Sequence, residues 1–188
     1  MNNTINALGQ DPFKFAKLIV RSTCATLVMA LMSLVCWVPL ASAATTLSTP
    51  DQDFIMTAAQ INLTEIKLGE FAAQTGMRDD VKAFGQRMVK DHTAINDDLK
   101  VLAAQKDVAM PDSLDAAHQK MVDTLTALTG SEFDKAYIAG MFKGHKKAIK
   151  AFKTESAKTK DADVKSFAGK TIPILEDHLK LITAIKKS

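Results

Sequence analysis

Cysteine is nearly missing from this chain of 188 residues: there are two, Cys24 and Cys36, both within the first 43 residues. Beyond that point the sequence offers no disulfide, no thiolate ligand, no cysteine nucleophile and no C-x-x-C-H for covalent haem. Aromatic residues are scarce, and the single Trp, Trp37, lies in the same early stretch, leaving Tyr137 as the one tyrosine. An excess of one charge is missing as well. The formal net charge is +3, and without Asp11, Lys14, Lys17 and Arg21 it falls by two. A nearly neutral, aromatic-poor surface lacks the basic patch and stacking platforms that nucleic acid requires, so no nucleic-acid partner is expected. Neither G-x-S-x-G nor a Ser-His-Asp arrangement is present to support nucleophilic catalysis. Period-two alternation of apolar and polar residues does not persist anywhere, which excludes an outer-membrane β-barrel.

What is present begins with a targeting segment. Lys14, Lys17 and Arg21 precede an uncharged apolar run, "STCATLVMALMSLVCWVPL", and "ASAA" follows with a small-residue cleavage motif. Residues 1–43 therefore read as a signal peptide cut after Ala43, with an uncleaved membrane anchor as the alternative for an apolar run that nearly spans a bilayer. The expected location is the periplasm or cell envelope, with no membrane-spanning domain once the signal is removed. Envelope association is the partner expectation, and the oligomeric state is open. "SLVC" lacks the small residue that lipidation at Cys36 would need. One local charge excess exists. Nine lysines lie from Lys143 to Lys170 against Glu155, Asp161 and Asp163, which reads as a solvated helix face.

Residues 44–50, "ATTLSTP", read as a flexible leader, and residues 51–188 as one all-α domain. The apolar spacing is helical throughout. A first helix runs from about Asp51 to Gln74 with Gly76 as its stop; a second, capped by Asp79 or Asp80, continues to about Ala104. "KDVAMPDS" breaks the pattern. Ser113 then opens a short helix carrying Leu114, His118, Met121, Leu125 and Leu128, closed by Gly130. Ser131 and Asp134 form the expected cap of a third long helix reaching Lys158, and Asp161 or Asp163 opens the last. Two tight turns and one long link describe a four-helix bundle of two αα-hairpins with a short helix in the crossover. "DDVKAF" (79–84) recurs as "DADVKSF" (161–167), each followed by "DH", as a weak repeat between hairpins.

Each long helix carries one ligand-capable residue within its apolar stripe: Glu65, His92, His145 and His178. His92 falls between Met88 and Ile95, His145 between Met141 and Ile149, and His178 within the run Val164, Phe167, Thr171, Ile174, Leu181, Ile185. At a rise of ~1.5 Å per residue, Glu65 and His92 lie ~18 and ~22 Å from the first turn, and His145 and His178 ~22 and ~27 Å from the second. The four can meet in one layer. A buried carboxylate is costly unless paired or metal-bound, and neutral imidazole is a good ligand for Zn, Cu, Fe and Ni. The spacing thus points to one transition metal ion held by Glu65, His92, His145 and His178. The competing reading is a polar layer that fixes helix register without metal. Asp91 and Asp177, next to two of the histidines, point away from them and are expected to orient a ligand on another helix or to meet solvent. His118 is expected to pack or act as a lid, and Met56, Met88, Met121 and Met141 to fill the core. Pro173 is expected to kink the last helix five residues before His178.

"FIMTAAQINLTEIKLGEFAAQ", "VKAFGQRMVKDH", "FDKAYIAGMFKGH" and "LEDHLKL" together resemble a bacterial family of unknown function, number 4142, over about Asp51 to Ile185. The resemblance implies an exported ferritin-like four-helix bundle, often labelled an outer-membrane protein, and leaves activity open. Di-iron ferritin-like proteins use a Glu from two helices and Glu-x-x-His from the other two. Here Val89 stands three before His92, Leu175 three before His178, and His145 where a carboxylate is expected. Ferroxidase roles are therefore not carried over. The reading is a non-enzymatic, metal-holding bundle, with a metal-free structural or stress-related envelope protein as the alternative.

Overall fold

The computed structural model describes residues 47–188. The segment read as a signal peptide lies outside the described residues. Five helices follow in order: α1 (Thr49–Thr75), α2 (Asp79–Gln105), α3 (Ala116–Thr126), α4 (Gly130–Lys158) and α5 (Ala162–Lys187), with no strand among the described residues. The first helix starts two residues earlier than its spacing suggested. Ser48 is its N-cap, with Oγ accepting from the Asp51 amide, and Pro50 sits in the first turn where its missing N–H costs nothing.

α1 packs along α2, and α4 along α5, as two antiparallel hairpins. α2 lies against α5 and α1 against α4, which closes the bundle. Polar ties at both ends set the register. Lys106, just past α2, bonds Asp161 and Asp163 at the start of α5 (2.7 and 2.6 Å). At the other end Asp134 of α4 accepts from the amides of Met77 and Arg78 (3.1 and 2.9 Å). Asp134 thus ties α4 to the turn just ahead of α2, whose N-cap Arg78 carries no side-chain cap bond. This corrects the expected pairing of Ser131 with Asp134: the carboxylate is buried across the interface rather than spent on its own helix.

α3, in the link from α2 to α4, lies against α1 and α4. Gln60 of α1 anchors this link, donating to Ser113 O (3.1 Å) and accepting from the Asp115 amide (3.0 Å). α3 begins at Ala116 under an Asp115 cap rather than at Ser113, and it buries Val122 instead of Met121. Gly130 does not close α3. It opens α4 with φ +55°, a backbone that suits glycine.

The α1–α2 contact is tight because two glycines face each other. A Cβ on Gly85 would stand 2.6 Å from Gly69 O and 2.7 Å from Ala73 N. No helix among the described residues is long and apolar enough to cross a membrane.

The apolar core is in two parts. One contains Ile55, Ile95, Leu99, Ile149, Phe152 and Leu175. The other contains Leu68, Phe84, Met88, Tyr137, Met141 and Ile182. Every long helix passes from one to the other through a single buried ionisable residue: Glu65, His92, His145 or His178. The polar layer is the boundary between the two halves of the core.

Candidate metal centre

His92, His145 and His178 meet within this layer. One ring nitrogen from each lies within 4.8 Å of the other two, and all three residues are at least 99% buried. Ring centroids are 5.9 Å apart for His92–His145 and 5.3 Å for the other two pairs. Phe84 sets its ring edge-on to His145 and to His178, at 6.4 Å from each, on the side of the Tyr137 half of the core.

The outward nitrogen of each imidazole meets an acceptor from a different source. His145 Nδ1 donates to the Met141 carbonyl one turn back (2.9 Å). His178 Nε2 donates to Asp91 Oδ2 on α2 (2.9 Å). His92 Nδ1 donates to Asn62 Oδ1 on α1 (2.9 Å). A neutral imidazole has one N–H, so these bonds leave His145 Nε2, His178 Nδ1 and His92 Nε2 as lone-pair donors. Those are the nitrogens that turn inward. His145 Nε2 and His178 Nδ1 stand 3.3 Å apart, and His92 Nε2 is buried without any partner.

Electrostatics favour the neutral form of His178 and His92. Burial pushes the His178 value down to about 4, with the neighbouring His145 adding to the fall and the Asp91 bond opposing it. Burial, followed by His178 and His145, holds His92 well below the usual imidazole range. Asp91 is held below the ordinary carboxylate range. Its burial is a penalty, outweighed by bonds to His178 and Arg87. Its charge is available to orient His178, as the sequence reading allowed.

Glu65 is also buried, yet it lies outside the group of mutually close nitrogens. Oε1 approaches Gly144 of α4, since a Cβ there would be 3.7 Å away, and Oε2 has no partner. Burial raises its carboxyl toward the neutral form, with His145 opposing. Tyr137, about two turns before Gly144 on α4, has its hydroxyl buried and unpaired, and its ionisation is pushed well up by burial and by Glu65. His118 is remote from the layer and bonds its own cap Asp115 (2.9 Å). Met88 and Met141 fill the core as expected, whereas Met56 and Met121 are exposed.

The contributions of Asn62, Arg87 and Tyr137 escaped the sequence reading. Asn62 stands one turn before Glu65 on α1, and its spacing was the available signal. Arg87 pairs with Asp91 and reaches Asp177 Oδ2 (3.2 Å).

A family model described as Domain of unknown function (DUF4142) matches residues 38–185. No curated protein matches the chain. Two solved structures share the fold. CopM in its Cu(I)-bound form has a TM-score of 0.61 at 18% identity, over 73% of this chain and 95% of that one. A DUF305 fragment from Deinococcus radiodurans has a TM-score of 0.64 at 10% identity, over 74% and 96%. With the matched segment reaching into all five helices, the chain belongs to the DUF4142 family, whose function is not defined.

Proposed function

We propose that this protein is an exported, ferritin-like helical bundle that binds one transition metal ion through His92 Nε2, His145 Nε2 and His178 Nδ1, with Glu65 as the fourth donor. The observation that carries the reading is the set of three outward bonds, to Asn62, Met141 and Asp91, which leave one lone pair on each of three rings that come within 4.8 Å of one another. Second partners of this kind are what orient metal-bound histidines. Two facing lone pairs at 3.3 Å repel unless a cation lies between them. The low proton affinity of His178 and His92 makes a metal a better cation than a proton at neutral pH.

The dimensions support the same reading. A tetrahedral ion with bonds of about 2.0 Å has ligand–ligand edges of about 3.3 Å. The His145–His178 pair already has that separation. The widest of the three, within 4.8 Å, needs to close by about 1.5 Å at most. Glu65, near His145 and with a free oxygen, gains a partner for its buried charge by swinging to the ion. Nitrogen-rich donors suit zinc or copper, and the Cu(I)-bound form of the similarly folded CopM makes copper an ion to try beside zinc. Four protein donors make the bound ion a stored or structural one rather than an open catalytic centre.

Untagged protein supplied with zinc or copper at micromolar concentration should retain close to one ion per chain by mass spectrometry. His92→Ala and His178→Ala should abolish retention. Absence of uptake by the wild type would leave the layer as a metal-free register device. Export is tested separately: chain recovered from the periplasm should begin at Ala44.

A further inference from the structure

We propose that the α2–α5 seam at Arg87, Asp91 and Asp177 is the loading port through which a cationic metal ion reaches the histidine triad, with Arg87 as its latch. The inference rests on the metal-binding reading and adds a route and a selectivity to it.

A shallow surface depression is lined by Arg87, Asp91, Ala94, Pro173, Ile174 and Asp177. Asp91 belongs to both worlds. On the outside it pairs with Arg87, and on the inside it accepts from His178 Nε2 at 2.9 Å. Side-chain exposure falls stepwise along this line, from 45% at Asp177 and Arg87 to 15% at Asp91 and 0% at His178. Two carboxylates therefore lead from solvent to a ring whose other nitrogen faces the triad, where His92 Nε2 is buried and unpartnered. The chemistry favours a hard-to-soft transfer: carboxylate oxygen captures a hydrated divalent cation, and imidazole nitrogen then holds it more tightly.

Arg87 occupies the position between the two carboxylates that an incoming cation would take, bonding both. A cation must displace the guanidinium before it reaches Asp91. Pro173 lies in the wall of the depression and cannot donate to the Gly169 carbonyl, so α5 lacks a backbone bond beside the port. Anionic or neutral complexes gain nothing from the two carboxylates, so the port selects free or weakly complexed cations.

The test follows Cu(II) uptake by the full chain in a stopped-flow instrument, read from copper ligand-field absorption, with the end point measured separately. Arg87→Gln should load about tenfold faster, and Asp177→Asn several-fold slower, on the scale of local charge steering. Both should finish with the wild-type stoichiometry and spectrum. The wild-type rate should fall as salt rises, because the attraction is screened. Wild-type rates in both variants with an unchanged end point would overturn the port while leaving the triad. Failure of the wild type to take up copper would overturn the triad and the port with it.

Discussion

A neutral imidazole carries one proton, and the side on which it sits decides whether the ring can hold a cation. Asp91 makes that choice for His178, because an ionised carboxylate can only accept. Asp91→Ala should weaken zinc affinity by about 10- to 100-fold while leaving the helix content unchanged, as titration calorimetry and circular dichroism would show. The metal-free protein should also lose stability in acid. His178 has a folded value of about 4 against 6.5 for the free residue. Between those limits the unfolded chain takes up a proton that the folded chain refuses, so stability falls as pH drops from about 6.5 to about 4 and then levels. The shift corresponds to about 3 kcal/mol. Thermal denaturation across that range should show a smaller fall for His178→Leu than for the wild type, and equal falls would contradict the assignment. Glu155, which packs by Asp51, titrates the opposite way. Its value is raised to about 7, by burial first and then by Asp51, so its contribution is lost as pH rises from about 4.5 to 7.

Single helices show where small residues matter. Gly85 lies where α1 and α2 touch backbone to backbone, and Gly85→Ala would push a Cβ into Gly69 O and Ala73 N. Overpacking of this kind costs about 1–3 kcal/mol, or a fall in melting temperature of about 3–10 °C for a chain of this size. Gly140, in the middle of α4, has open space instead. Gly140→Ala should stabilise by about 0.4–1 kcal/mol through the unfolded state, and the pair of variants measured together separates contact from propensity. Helix boundaries were legible because Gly76, Asp161 and the break after Gln105 act locally. The tie made by Asp134 was not legible, since it serves a turn more than fifty residues away in sequence. The phase of α5 was only partly legible. Its buried face runs through Leu175 and Ile182, with Leu181 exposed, and both runs obey the same three-four spacing. Choosing between them needs the neighbouring helix.

Across the whole molecule, four long helices place one ionisable side chain each at the boundary between two apolar clusters. That layer was readable from single-helix stripes and distances from the turns, because antiparallel hairpins convert sequence offset into height. The finer arrangement was not. Sequence spacing treats Glu65 as equivalent to the histidines, whereas the bundle sets it to one side, near Gly144 and Tyr137. The three rings are proposed to act together on one ion. X-ray absorption at the zinc edge, on protein given one equivalent of zinc, tests it most directly. Three imidazole nitrogens at about 2.0–2.1 Å are expected. A shell of oxygen with one imidazole or none would place the ion on the surface and contradict the proposal.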